Sequence, residues 1–534
     1  MGTNEATADD KTQGLLRSTA VVGSMTLLSR ISGLARDIGF SHWFGAGAVM
    51  DAFFVAFKIP NLLRRFFAEG AFSQAFVPMI AEYRSNSTPE ETREFLNRIT
   101  GTLGAVLFVV TVIGVVAAPV LILLFAPGFT AEDGRRALAG DMLRLTFPYL
   151  FFISLTALAG GILNTYRQFA VPAFTPVLLN VVLIAFAGWV APQLERPAMG
   201  LALGVFVAGL VQLLVQVPFL LRLGLLPRPR WGWAHDGVRR VLKLMLPVLF
   251  GSSIAQINIL FDTLIASFLA AGSISWLYYS DRLMEFPLGV FGIAVATVML
   301  PSLSEEHAKA SPEGFTAMLD WALRLVVLIS LPAAVGLILL AEPLLATIFF
   351  GGAFTRFDVA MATASLVAYA FGLLGFILVK VLATGFFSRQ DTRTPVRIGV
   401  IALVLNMGLN VVFVIGLLRS EYAAPHAGLA AATTISALVN AGLLLRGLRQ
   451  AGVYRASAGW SIYAGRIGVA SIVMAIAVYW MRLQFGAWTE LDLGMRITGL
   501  AACVATGIVI YFGSLYVAGL RPSSLRAQRP SSTL

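Results

Sequence analysis

Charge is scarce in this chain. Of its 534 residues only 13% are Asp, Glu, Lys or Arg, 58% are hydrophobic, and the mean hydropathy is +0.81. Soluble domains carry about 25% charged residues, so a water-dispersed globule is excluded for want of polar surface. Cysteine is nearly absent. The lone Cys503 cannot close an internal disulfide and has no partners for a zinc site, and its place in a C-terminal apolar run reads as helix packing. The four histidines, His42, His235, His307 and His426, are scattered and form no metal-ligand spacing. Neither a GxxxxGK[ST] phosphate loop nor a GxSxG nucleophile turn occurs, and no loop is long or acidic enough for a membrane glycosyl or phosphoglycosyl transferase. An enzyme is therefore not expected, and no cofactor is implied. The alternating segments of a β-barrel are missing too. Met1–Gly14 is polar and of mixed charge, unlike the basic start and short apolar core of a cleaved signal peptide, so the first membrane segment is expected to act as the targeting signal.

Long uncharged runs are what the chain has in plenty. Leu201–Leu221 and Leu325–Leu340 contain no charge at all, and about 18 apolar residues suffice to cross the hydrocarbon core as a helix. The pattern predicts an all-α polytopic membrane protein of fourteen spans, near 17–42, 51–82, 99–126, 138–163, 172–192, 198–221, 241–271, 274–304, 322–349, 358–387, 395–418, 427–446, 461–483 and 494–519. With the N-terminus inside, the cytoplasmic segments hold 24 Lys and Arg against 7 on the other side, which by the positive-inside rule puts both ends in the cytoplasm. The net charge of +11 is then explained by basic loops facing anionic lipid, and no nucleic-acid partner is needed.

The chain also repeats itself. PVLILLFAPGFT (119–130) is echoed by PLLATIFFGGAFT (343–355), Tyr166-Arg167-Gln168 before Pro172 by Ser388-Arg389-Gln390 before Pro395, and Pro78 with Glu82 by Pro301 with Glu305, all at offsets near 223. Six spans per repeat keep the same orientation, so two six-helix lobes in parallel repeat are expected, 1–230 and 231–450, followed by a C-terminal helix pair and tail at 451–534. Such repeats are a transporter signature, with the substrate bound between the halves.

Ionisable groups inside the spans carry the functional information, because each costs at least about 2.5–3.5 kcal/mol at the bilayer centre. Arg30, Arg36 and Asp37 lie in SRISGLARD; Asp51, Lys58, Arg64, Arg65 and Glu69 lie in DAFFVAFKIPNLLRRFFAEG; Asp281, Arg282 and Glu285 precede Pro287. Asp51, Lys58 and Arg65 are spaced by two helical turns and share a face, as do Arg282 and Glu285. Arginine grips phosphate with paired hydrogen bonds and keeps its charge in a low dielectric. An arginine-rich central cavity for an anionic, phosphorylated substrate is the functional reading; structural ion pairs and snorkelling side chains are the alternative. In a separate group, Asp262 with Asn258, Asn406 with Asn410, and Thr433 or Thr434 offer oxygens for a small hard cation or for interhelical hydrogen bonds. Energy is expected from an ion gradient, membrane potential or substrate supply.

SRISGLARD, FGAG, DAFFVAFKIPNLLRRFFAEGAFSQAFVPMIAEYR, SWLYYSDRLMEFPLGVFGIAVATVMLPSLS and KVLATGFFSRQDTRTPV closely resemble the MurJ (MviN) lipid II flippase family, within the multidrug/oligosaccharidyl-lipid/polysaccharide exporter superfamily. The resemblance covers nearly the whole chain and is weakest after about residue 450. It implies fourteen helices in two lobes, a hydrophobic groove formed with the last two helices, and alternating-access movement of undecaprenyl-pyrophosphoryl-disaccharide-pentapeptide to the periplasmic leaflet for peptidoglycan synthesis. It implies substrate contacts from Arg30, Arg36, Arg64, Arg282 and Lys58, and coupling or gating by Asp37, Asp51 and Glu285. It also implies Na+ or H+ coupling, with a sodium site of Asp262, Asn406, Asn410 and Thr434 in which Asn410 stands where a carboxylate is expected. Partners would be lipid II, membrane lipids and the cell-wall synthesis machinery. The competing reading is a cation-coupled multidrug exporter, or an exporter of another lipid-linked oligosaccharide, from the same superfamily. The excess of arginine over acidic and aromatic residues speaks against a carrier of cationic drugs.

Overall fold

The computed structural model describes residues 3–65, 71–130, 132, 134–289, 293–309 and 311–520, and side chains throughout these except at 3–20, 71, 246–255 and 293–298. In hydrocarbon every backbone N–H and C=O must be paired within the protein, and the described residues meet that demand with helices alone. In chain order these are α1 (Thr3–Phe44), α2 (Ala48–Arg64), α3 (Ala71–Asn86), α4 (Pro89–Val116), α5 (Ala118–Phe125), α6 (Arg135–Thr146), α7 (Tyr149–Thr165), α8 (Ala170–Ala185), α9 (Pro197–Arg222), α10 (Asp236–Ser267), α11 (Ser273–Pro287), α12 (Ile293–Ala308), α13 (Pro312–Leu339), α14 (Ala341–Ile348), α15 (Arg356–Ala370), α16 (Leu373–Phe387), α17 (Arg393–Arg419), α18 (Ala427–Gln450), α19 (Trp460–Leu483) and α20 (Leu493–Val517). Among the described residues the sole extended pairing is an isolated bridge between Gly351 and Phe354.

Helix boundaries reproduce the internal repeat residue by residue. Helices α4 and α13 are each 28 residues long and begin at Pro89 and Pro312, 223 positions apart (312 − 89). Their N-caps, Thr88 and Ser311, stand at the same offset, and each side chain accepts from the backbone N–H three residues on, satisfying a donor the first turn leaves open. Helices α5 and α14 are each eight residues and start at Ala118 and Ala341, again 223 apart. After α7 and α16 the chain turns through left-handed Arg167 (φ 62°) and Gln390 (φ 60°). Beyond each, the next N–H reaches five residues back, Gln168 to Leu163 at 2.9 Å and Asp391 to Phe386 at 3.1 Å, which closes a Schellman C-cap.

Two prolines inside helices are compensated from neighbouring helices. Proline has no N–H and so frees the carbonyl four residues before it. Pro60 in α2 frees Ala56, and the Thr146 hydroxyl at the end of α6 donates to that oxygen at 3.0 Å. Pro332 in α13 frees Leu328, and the Tyr511 hydroxyl of α20 donates to it at 2.6 Å. Both donors are buried, so each freed oxygen ties its helix to a neighbour.

The chain forms two compact units, Met1–Ala271 and Gly272–Leu534. In the first, α1 packs on α8, α7 on α9, α2 on α6, and α10 on α3, α4 and α5. In the second, α17 packs on α18, α11 on α15, and the α19–α20 hairpin on α13 and α14. Buried polar contacts hold the entrance to that hairpin. Asp320 of α13 accepts from Arg324 Nε (2.9 Å), the Tyr454 hydroxyl (2.8 Å), Ser457 Oγ (2.5 Å) and Trp460 Nε1 (2.6 Å). Toward the hairpin's turn, Arg482 pairs with Glu342 at 2.6 Å, and Arg496 donates to the carbonyl of Ala346 at 2.6 Å and of Phe350 at 3.2 Å. An arginine near the C-terminus of α14 answers both its open carbonyls and its dipole.

Among the described residues nine helical spans, with α6 and α7 together forming one, are long and apolar enough to cross a membrane, ten if α15 and α16, bent by 42° at their junction, count as one broken span. These coincide with ten of the fourteen expected spans. The other four are α1, diluted by Arg30, Arg36 and Asp37, and the runs at 51–82, 241–271 and 274–304, parts of which fall outside the described residues or side chains.

Candidate functional site

Helix α1 carries the first charged group. Arg36 and Asp37 are adjacent, about 100° apart around the helix, yet the guanidinium curls back so that Nε and Nη2 reach one carboxylate oxygen at 3.0 and 2.7 Å. The pair is 7% and 0% exposed. Arg36 Nη1 also donates to Asn180 Oδ1 of α8 at 3.1 Å, and Asn180 Nδ2 returns to Ser32 Oγ (3.0 Å) and the Ser29 carbonyl (3.2 Å). A buried ion pair needs its remaining polar groups engaged, and Asn180 supplies an acceptor for the free Nη1 of Arg36 while docking α8 on α1. Arg30, two turns earlier, is exposed and has no hydrogen-bond or ion-pair partner among the described residues.

Helix α2 presents its charges at successive levels. Asp51 is fully buried and lies 3.9 Å from Arg135 of α6, whose guanidinium stacks 4.7 Å over Phe129. Two turns on, Lys58 Nζ donates to Thr263 Oγ1 of α10 at 2.7 Å. Two turns further, Arg65 Nη1 donates to Gln256 Oε1 of α10 at 3.3 Å. The steps 58 to 65 and 263 to 256 run in opposite directions, so the heptad face of α2 meets an antiparallel α10. Arg64 points elsewhere and donates to Asn61 Oδ1 at 2.8 Å. Beside Thr263, Asp262 Oδ2 accepts from Asn258 Nδ2 at 3.4 Å. Glu69 lies outside the described residues.

In the second unit, Arg282 of α11 pairs with Glu285 at 3.0 Å, donates to the Tyr278 hydroxyl at 2.9 Å and stacks 5.2 Å over that ring. The triad is partly exposed, and Asp281 beside it is half-buried. In α17 and α18, Asn410 Nδ2 donates to Asn406 Oδ1 at 2.8 Å, Asn406 Nδ2 to Thr433 Oγ1 at 3.2 Å, and Thr434 Oγ1 to the Ala368 carbonyl at 2.7 Å. The oxygens these three residues offer are neutral; Asn406 Oδ1 accepts within α17, and the Thr434 hydroxyl is spent on the α15 backbone. Asp262, the one carboxylate of the expected sodium set, belongs to the first unit. Among the described residues no group of three or more His, Cys, Asp or Glu side chains is placed to hold a metal ion.

The sequence thus named Arg36, Asp37, Asp51, Lys58, Arg64, Arg282 and Glu285, and the structure adds the residues that hold them. Asn180, Thr263 and Tyr278 were missed, although an asparagine in an apolar span is a readable signal. Arg135 had been placed in a loop; it starts α6 and reaches inward to Asp51. Each unit by itself holds guanidinium groups oriented by carboxylates, amides and hydroxyls, and the first adds the ammonium of Lys58.

Known proteins support a specific assignment. The sequence model described as "Lipid II flippase MurJ" matches residues 40–498. A Vibrio cholerae protein called "Probable lipid II flippase MurJ" is 47% identical over 96% of this chain and 98% of its own length. A Burkholderia cenocepacia "Lipid II flippase MurJ" is 42% identical over 96% and 99%. A solved "Lipid II flippase MurJ, inward closed conformation" superposes with a TM-score of 0.76 at 26% identity, covering 93% of this chain and 98% of that one. An inward-facing multidrug transporter of the MOP superfamily shares the fold at a TM-score of 0.64 and 16% identity. With the match spanning nearly the whole chain, this protein belongs to the MurJ lipid II flippase family.

Proposed function

We propose that this chain is a lipid II flippase of the bacterial inner membrane: a transporter, not an enzyme, that carries undecaprenyl-pyrophosphoryl-disaccharide-pentapeptide from the cytoplasmic to the periplasmic leaflet. The observation that carries the reading is near-full-length identity of 42–47% with relatives bearing that name. Arg30, Arg36, Arg64, Arg282 and Lys58 engage the diphosphate and sugars in an arginine-rich cavity, while the prenyl tail stays in lipid or an apolar groove. Asp37, Asp51 and Glu285 hold or release these cations as access alternates. In this reading the lobes are 1–230 and 231–450, the C-terminal pair and tail 451–534, and both ends are cytoplasmic. Coupling is to Na+ or H+, with Asp262 as the ionisable member of a set completed by Asn406, Asn410 and Thr434. Cell-wall synthesis enzymes that consume lipid II are the expected neighbours.

The test is replacement. Cells depleted of their own flippase receive this chain, and lipid II reaching the outer leaflet is measured by a probe that cannot cross the membrane. Restored growth together with restored outer-leaflet lipid II supports the proposal. Membrane-inserted protein that leaves lipid II in the inner leaflet refutes it.

A further inference from the structure

The segment joining α9 to α10 displays a feature that transport does not use. Trp231 and Trp233 are 59% and 49% exposed, and their indole rings stack at 6.1 Å with an interplanar angle of 11°. The backbone beneath them is pinned to α4. Gly232 N–H donates to Thr102 Oγ1 at 3.0 Å, Arg98 Nη1 donates to the Trp231 carbonyl at 2.7 Å, and Arg230 N–H donates to the Asn97 carbonyl at 3.0 Å. A Cβ at Gly232 would stand 2.5 Å from Arg98 Cβ, and one at Gly101 would stand 2.2 Å from the Arg230 carbonyl oxygen. Both glycines are therefore required for the two indoles to be held side by side, facing out. From 222 to 243 the chain has six cations (Arg222, Arg228, Arg230, Arg239, Arg240, Lys243) and one carboxylate, Asp236. Arg240 pairs with Glu82 at 2.8 Å and Arg230 with Glu94 at 3.4 Å; Arg222, Arg228, Arg239 and Lys243 have no carboxylate partner among the described residues. Fixed indoles exposed to water are unfavourable, but Trp is favoured at the headgroup level of a bilayer, and each nearby cation adds attraction to an anionic leaflet.

We propose that the linker between α9 and α10, together with the start of α10, is an anionic-phospholipid contact site, in which Trp231 and Trp233 enter the headgroup layer and Arg228, Arg239 and Lys243 meet lipid phosphates. The experiment uses the full chain reconstituted in vesicles containing 30% phosphatidylglycerol in phosphatidylcholine, with either the anionic or the neutral lipid brominated. The fluorescence of the parent minus that of Trp231→Phe/Trp233→Phe reports these two indoles alone. The proposal expects that difference signal to be quenched at least about twofold more strongly by the brominated anionic lipid, per mole, than by the neutral one. In Arg228→Gln/Arg239→Gln/Lys243→Gln the preference should vanish while quenching by neutral lipid persists. Equal quenching by both lipids in the parent overturns the proposal. So does a difference signal quenched by aqueous iodide and by neither lipid, which would mark the loop as facing water or a soluble partner.

Discussion

The carbonyl freed by Pro60 gives a sharp test of how α2 is held. Thr146→Val keeps the shape of the side chain but removes the hydroxyl that donates to Ala56 at 3.0 Å. A buried carbonyl left unpaired costs roughly 1–3 kcal/mol, so the single variant should unfold at a lower temperature. Pro60→Ala restores an N–H to α2, which can then bond to Ala56 within the helix. Thr146→Val made in that background should cost less, giving a coupling of at least about 1 kcal/mol in a double-mutant cycle. Thermal unfolding of the four purified proteins in one detergent measures it. If Thr146→Val lowers the transition equally with and without Pro60, the hydroxyl is not compensating for the proline and the reasoning fails.

The same logic predicts that Tyr511→Phe is destabilising beside Pro332 and markedly less so after Pro332→Ala. Asn180→Leu leaves Arg36 and two α1 groups without their partner and should cost about 2–4 kcal/mol of stability, read as the same shift in unfolding; an unchanged transition would remove Asn180 from the account. Asp320→Ala strips the acceptor from Arg324, Tyr454, Ser457 and Trp460 and should cost roughly 3–5 kcal/mol, with proteolysis appearing first in the 451–459 loop; protection equal to the parent would contradict the anchoring role. Arg167→Gly removes a left-handed non-glycine residue and should raise stability by up to about 1 kcal/mol; a loss would mean its side chain makes a contact worth more than the strain.

The legible part of the fold was what periodicity and hydropathy encode. Uncharged runs gave the positions of the apolar helices, and three short motifs at one offset gave the duplication that α4/α13 and α5/α14 repeat to the residue. Spacing alone anticipated the Arg282–Glu285 pair and the Asp51, Lys58, Arg65 face. Partners from distant segments stayed hidden, because sequence spacing reports which side chains share a helix face and not which helix comes to meet it. Asn180 satisfying Arg36, Arg135 meeting Asp51 and Asp320 gathering four donors from α13, 451–459 and α19 all depend on packing. That the carbonyls freed by Pro60 and Pro332 are bonded by hydroxyls of neighbouring helices required coordinates.

The central claim is that arginine side chains engage the diphosphate of lipid II. In flippase-depleted cells, Arg30→Ala and Arg282→Ala should each reach the membrane at parental levels, fail to support growth, and leave lipid II unexposed on the outer leaflet. Parental growth and parental exposure from both would contradict the account.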